Sequence, residues 1–255
     1  MATPNQISQL YTKLKAYKKR YLRKQYADLD ESATRLMVNS FLIDILGYTE
    51  LEEVKTEFRI RGEYADYVIQ LERKKHFVVE VKAIQLDLTE KHLRQSVNYA
   101  ANEGIDWIIL TNAKQVELYK VLFNKPIEVK KIFSFDLSNE KDLKKAAESL
   151  ILICKKSVEK KELEHFWKRF QAMEPGPLSK NLYNIDIIRF LKKTLKKKTG
   201  LTFSEDDILD SVHQIITTKI ESRKPKMPIE PKIKQVVVKK QPEITLKAAQ
   251  NTIVI

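Results

Sequence analysis

"RGEYADYVIQLERKKHFVVEVKAI", residues 61–84, decides how the rest of the chain is read. Two apolar-rich runs flank the charged turn Glu72-Arg73-Lys74-Lys75, the pattern of a β-hairpin. Asp66 interrupts the first run, and Glu80 and Lys82 interrupt the second after its lead-in Phe77-Val78-Val79. Side chains alternate across a strand, so Glu80 and Lys82 emerge on one face and Val81 on the other. Asp66 lies on the neighbouring strand and reaches the same place if the register allows. Two carboxylates at close range repel and raise each other's pKa unless a cation stands between them. Mg²⁺ suits that position because it takes oxygen ligands and keeps several waters. A surface ladder with Glu80 and Lys82 as a solvated pair is the alternative reading of the same residues.

The chain carries its own controls. Glu-Val-Lys occurs at 53–55, 80–82 and 128–130. Glu53 opens a strand after a loop, and Glu128 follows Pro126 with no aspartate on a preceding hairpin strand. Only the copy at 80–82 ends an apolar strand and has Asp66 in the strand before it.

Working outward, residues 5–26 read as a helix with Leu10, Leu14, Tyr17 and Tyr21 on one side. Its other side is basic, and Lys18, Lys19, Arg20 and Arg23 are candidate nucleic-acid contacts. A second helix starts at Asp30 as N-cap and closes at Gly47. Strands follow near 54–60, 64–71 and 76–82, with Gly62 between the first two. A helix over 89–103 ends at Gly104, and short strands come at 107–110, 115–119 and 129–133. The order predicts an α/β fold, a mixed central sheet flanked by helices.

From 139 the pattern is helical: one interrupted helix to 171, a break at "EPGPLS" (174–179), then helices near 183–198 and 204–219. Lys192, Lys193, Lys196 and Lys197 surround the first of these last two, as phosphate contacts or as a solvated face. Phe166, Trp167 and Phe170 at helical spacing read as core or interface. From Glu221 the chain is proline-rich and basic without glycine or aromatics, a flexible basic arm in which "QVVVKK" could add as a strand to a partner. The expected organisation is a domain over 1–137, a helical appendage over 138–220 and a basic tail over 221–255.

A net charge of +13 makes nucleic acid the leading partner. No apolar run approaches the roughly 18 residues of a membrane span, so no membrane association is expected. One cysteine, Cys154, in an apolar setting permits no internal disulfide, and a reducing cytoplasm is the default location. His76, His92, His165 and His213 show no metal-ligand spacing.

Taken together these motifs resemble the PD-(D/E)xK nuclease superfamily, and within it the amino-terminal nuclease domain of type I restriction enzyme R subunits. Asp66 followed by Glu80-Val81-Lys82 is similar to the family's metal-binding core, with Ala65 where the superfamily name has proline. "ESATRLMVNSFLIDILGY" (31–48) resembles the helix before the sheet, with Glu31 at the additional acidic position and Arg35 one turn later. "RQSVNYAANEGIDWIILTN" (94–112) resembles the helix and strand that follow, with Gln95 and Tyr99 at the Gln-x-x-x-Tyr positions.

The resemblance implies a restriction-endonuclease-like core and a Mg²⁺-dependent DNA endonuclease, Mn²⁺ being accepted. Asp66, Glu80 and the Val81 backbone carbonyl would hold the metal, Lys82 would be catalytic, and Gln95 and Glu31 would position the site. Arg35 and Tyr99 join the expected nucleic-acid contacts. R subunits also carry a motor, but no GxxxxGK[ST] loop occurs here. The expectation is therefore a restriction or defence nuclease acting as a homodimer or with partner proteins that supply motor or specificity. RNA and branched DNA stay open as substrates, and a non-catalytic DNA-binding or assembly subunit is the competing class.

Overall fold

The computed structural model describes residues 2–60 and 63–217. Gly62 and the tail from Glu221, including QVVVKK, lie outside the described residues. Helix α1, Pro4–Tyr21, starts at a Thr3–Gln6 capping box and stops short of the expected end, leaving Lys24–Tyr26 as a separate 3₁₀ turn. Helix α2, Glu31–Ser40, is capped by Asp30, whose carboxylate accepts the Ala33 N–H at 2.8 Å. It continues as a π turn over Phe41–Ile45 and is closed by Gly47 at φ +84°, where a side chain would be strained.

The sheet comprises β1 (Val54–Ile60), β2 (Glu63–Leu71), β3 (Lys74–Val81), β4 (Trp107–Thr111), β5 (Gln115–Leu122) and β6 (Glu128–Asp136), in that spatial order. All neighbours are antiparallel except β3 and β4, which are parallel and joined through helix α3, Arg94–Glu103. The β2–β3 turn is tighter than expected. Glu72 and Arg73 alone make it, at φ +46° and +68°, and Lys74 is already in β3. Positive φ at both central residues suits the twist of a two-residue hairpin.

The sheet has two unlike faces. Val79, Val81, Ile109 and Leu118 join one large cluster with α1 and α2. Val78, Ile108, Leu110 and Tyr119 face the other way and are covered by α3. The helical stretch after β6 is divided into α4 (Glu140–Leu150), α5 (Lys155–Glu159) and α6 (Glu162–Ala172). Extended backbone at Cys154 and a left-handed Lys161 make the breaks, so the three pieces fold onto the first face. Trp167 stands edge-on to Trp107 at 6.1 Å, and Lys120 lies 4.9 Å from the Trp107 ring centre while pairing with Asp106 at 2.9 Å.

The chain does break as "EPGPLS" begins, since α6 ends at Ala172 and Glu174 is a bend, but the break is shorter than expected. Residues Pro175–Leu182 form helix α7, with both prolines in its first turn, where backbone N–H groups have no intrahelical acceptor to lose. The chain divides into two compact units, Met1–Lys180 and Asn181–Ile255. In the second, α8 (Ile185–Thr199) and α9 (Glu205–Thr217) pack through Ile188, Ile208 and Val212. Ser204 and Asp207 exchange reciprocal capping bonds of 2.9 and 2.8 Å at the start of α9. Among the described residues no helix is long and apolar enough to cross a membrane.

Candidate active site

The register of the β2–β3 hairpin answers the question raised by its charges. Tyr67 pairs with Val79 and Val68 with Val78, so Asp66 stands opposite Glu80. Opposed residues on antiparallel strands project to the same side, which brings both carboxylates to the face that carries α3. Lys82, two residues beyond Glu80, joins them, and its Nζ donates to Glu80 Oε1 at 2.6 Å.

The helices complete the cluster. Asp30 sets the first turn of α2 so that Glu31 and Arg35, one turn apart, meet the end of the hairpin. The Arg35 guanidinium donates to Asp66 Oδ1 and to Glu31 Oε1, the latter at 3.1 Å. Glu31 Oε2 lies 3.6 Å from Lys82 Nζ. The Val81 N–H donates to Asp66 Oδ2 at 2.7 Å, and the Ser96 hydroxyl donates to Glu80 Oε2 at 2.6 Å. Thr34 fastens α2 to the end of the hairpin by accepting the Ile84 N–H at 3.0 Å. Each oxygen of the two carboxylates therefore accepts a bond from the protein.

Electrostatics match this crowding. Burial pushes the Asp66 carboxyl up, and the Val81 N–H, Arg35 and Lys82 only partly offset it, while Glu31 adds to the rise. Burial likewise raises Glu80 against the pull of Lys82 and Ser96, with Asp66 adding to it. For Lys82 burial works downward, but Glu80, Glu31 and Asp66 outweigh it and hold the ammonium above the usual lysine value. The site is thus a pair of reluctant carboxylates beside a firmly cationic lysine.

Among the described residues no group of three or more His, Cys, Asp or Glu side chains is arranged to hold a metal ion. The donors at hand are two carboxylates, an oxygen-only set that fits Mg²⁺, which completes its shell with water and substrate phosphate. Glu80 and Lys82 open onto a surface groove whose wall includes Gln95.

The structure brings Glu31, Arg35, Asp66, Glu80 and Lys82 together and sets Gln95 at the groove. The expected nucleic-acid contacts are held in different ways. Tyr99 is 1% exposed, so as a nucleic-acid contact it is corrected: its ring is packed among Val78 and Leu110 on the apolar side of α3. Arg35 is turned onto Asp66 and Glu31 by opposite charge. Lys18, Lys19, Arg20 and Arg23 belong to α1 and the turn after it, and α1 packs on the opposite face of the sheet from Glu80. Lys18 lies 3.8 Å from Glu140, and Arg20 stacks on Tyr21 at 4.9 Å. Lys192, Lys193, Lys196 and Lys197 are on α8, in the second unit. Ser96 was missed, although a signal existed: it falls in line with Leu93 and Ala100 on the buried stripe, where a hydroxyl needs a partner.

Residues 30–132 match the family model of the type I restriction enzyme R protein N terminus. That family is one of nuclease-like domains. The match runs from the N-cap of α2 into β6 and contains every residue of the charged cluster. No curated protein and no solved structure matches the chain. Within the matched stretch, the hairpin supplies Asp66, Glu80 and Lys82, α2 supplies Glu31 and Arg35, and α3 supplies Gln95 and Ser96.

Proposed function

We propose that the chain is a metal-dependent endonuclease that hydrolyses phosphodiester bonds in DNA, with Mg²⁺ preferred and Mn²⁺ accepted. Its setting would be restriction or defence against foreign DNA, with any motor or specificity factor supplied by a partner protein. The observation that carries this reading is the pairing of Asp66 opposite Glu80 with Lys82 alongside, on a groove open to solvent.

Asp66, Glu80 and the Val81 carbonyl would hold the cation. When bound, Mg²⁺ polarises the phosphodiester and lowers the pKa of its own water. Lys82 is kept charged by three carboxylates and stabilises negative charge that grows on the phosphate in the transition state. Glu31 positions Lys82 and Arg35, and Ser96 fixes the rotamer of Glu80.

A second reading has its own observation. Arg35, Lys82, Ser96 and the Val81 N–H already occupy all four carboxylate oxygens, as in a self-neutralised binding module. A cleavage assay on duplex, single-stranded and branched DNA and on RNA, with and without Mg²⁺ or Mn²⁺, separates the two. Metal-dependent cutting that disappears in Lys82→Ala supports the nuclease. Parental binding without cutting under any metal supports the module.

A further inference from the structure

The groove over Glu80 and Lys82 has a wall that the catalytic cluster does not use. Lys91 and Arg94 line it together with Gln95 and Asn98. These four stand at i, i+3, i+4 and i+7 and are all exposed, while Leu93, Ser96, Tyr99 and Ala100 between them are buried. The 3₁₀ turn Glu90–Leu93 runs straight into α3, so one polar stripe continues along both. Its base is rigid: Leu93 is buried in the second cluster, and His92 Nδ1 accepts the Thr89 N–H at 3.2 Å.

Position on the groove, together with free charge, singles the stripe out. Lys18, Lys75, Lys120, Lys130, Lys131 and Lys155 each face a carboxylate. Lys91 and Arg94 have no ion-pair partner among the described residues. Two unpaired cations thus share a groove with the buried carboxylate of Glu80, the arrangement that would hold an anion next to the reacting centre instead of on it.

We propose that Lys91 and Arg94 form a phosphate track that grips the nucleic-acid backbone beside the bond to be cut, without reading its sequence. This rests on the nuclease reading and names binding residues for that same site. Seven residues of helix span about 10 Å, the rise of about three base pairs, so the stripe reaches past a single phosphate. Arg94 offers a planar fork to phosphate oxygens and Lys91 a point charge. Asn98, one helical turn on, lies along the same line.

The test is fluorescence anisotropy of a labelled duplex titrated with the full chain, with Ca²⁺ replacing Mg²⁺ to prevent turnover, across about 50–200 mM salt. Lys91→Ala with Arg94→Ala should flatten the slope of log affinity against log salt by roughly 1.8 for duplex and roughly 1.4 for single strand, two phosphates' worth of counterions. The loss should be alike for unrelated sequences, and Mn²⁺ binding should be unchanged. Lys144→Ala with Lys145→Ala removes the same charge from exposed positions on α4, which packs on the opposite face, and should move the slope far less. Both target side chains are exposed, so circular dichroism should confirm an intact fold. An unchanged slope, or equal changes in the two double variants, would overturn the track while leaving cleavage by the parent chain intact. A parent chain that binds neither strand form would overturn the track and the nuclease reading together.

Discussion

Glu80 and Glu117 are both buried, at 4% and 5% exposure, and they stand in one row across the sheet. Glu80 pairs with Leu110, Leu110 with Glu117 and Glu117 with Ser134, so the two glutamates share a face with a single leucine between them. Their surroundings differ in kind. Glu117 accepts bonds from Tyr119 at 2.5 Å, Ser134 at 2.8 Å and Lys131 at 3.1 Å, two neutral hydroxyls and one cation. Glu80 stands opposite a second carboxylate, Asp66, and opens onto the groove. Burial of an acid therefore does not mark a site on this protein. Under the proposed function a second acid beside it does, because like charges held together call for a cation that Lys82 and Arg35 supply only in part.

The largest effect that could break this comparison is on cleavage. Lys82→Ala should slow single-turnover cutting roughly 10²–10³-fold, the usual loss of a transition-state charge stabiliser, while duplex affinity stays near the parental value. Glu80→Ala should abolish Mn²⁺ binding followed by calorimetry. Glu117→Gln should leave both rate and metal binding near the parental values. Equal loss of cutting in Glu80→Ala and Glu117→Gln would mean that the two glutamates are one extended site.

A smaller effect sharpens the role of the shell around Glu80. Ser96→Ala should weaken metal binding or rate by about 10–100-fold, the range for groups that orient a ligand. A full parental rate and metal affinity in that variant would reduce Ser96 to a packing residue.

For the sealed glutamate the expected readout is stability. Glu117→Gln should cost about 1–3 kcal/mol in denaturant unfolding, because Tyr119, which is 1% exposed, loses the carboxylate that accepts its hydroxyl. No change in the midpoint would show that the network contributes nothing.

The last expected effect concerns a buried thiol away from both glutamates. Burial pushes the Cys154 thiol up to about 12, so at pH 8 only about one molecule in 10⁴ carries the thiolate. A thiol reagent should label the native chain very slowly and the unfolded chain at once. The same shift makes this thiol's contribution to stability complete below its unfolded pKa, near 8.5, and progressively lost as pH rises toward 12. Rapid labelling at pH 8 under native conditions would show that the site opens.

Much of this molecule was legible in one dimension because the deciding information is periodic. Alternation at 64–71 and 76–82 set the strands, 3–4 spacing set α1 and α3, and Asp30, Gly47 and Gly104 marked ends through local backbone geometry. The same alternation put Glu80 and Lys82 on one face. The break at EPGPLS was legible but its length was not, because prolines in a first helical turn and prolines in a loop look alike without the backbone.

What the chain could not reveal alone was register and depth. A shift of one residue between β2 and β3 would have sent Asp66 to the far face, and the match of Tyr67 with Val79 settled it. The inward turn of Arg35, the burial of Tyr99 and the bond from Ser96 to Glu80 arise only when α2 and α3 dock on opposite faces of the sheet. Local propensity fixes which way a side chain points from its own element. Which charge it meets there depends on packing between segments far apart in sequence, and that is a property of the folded chain.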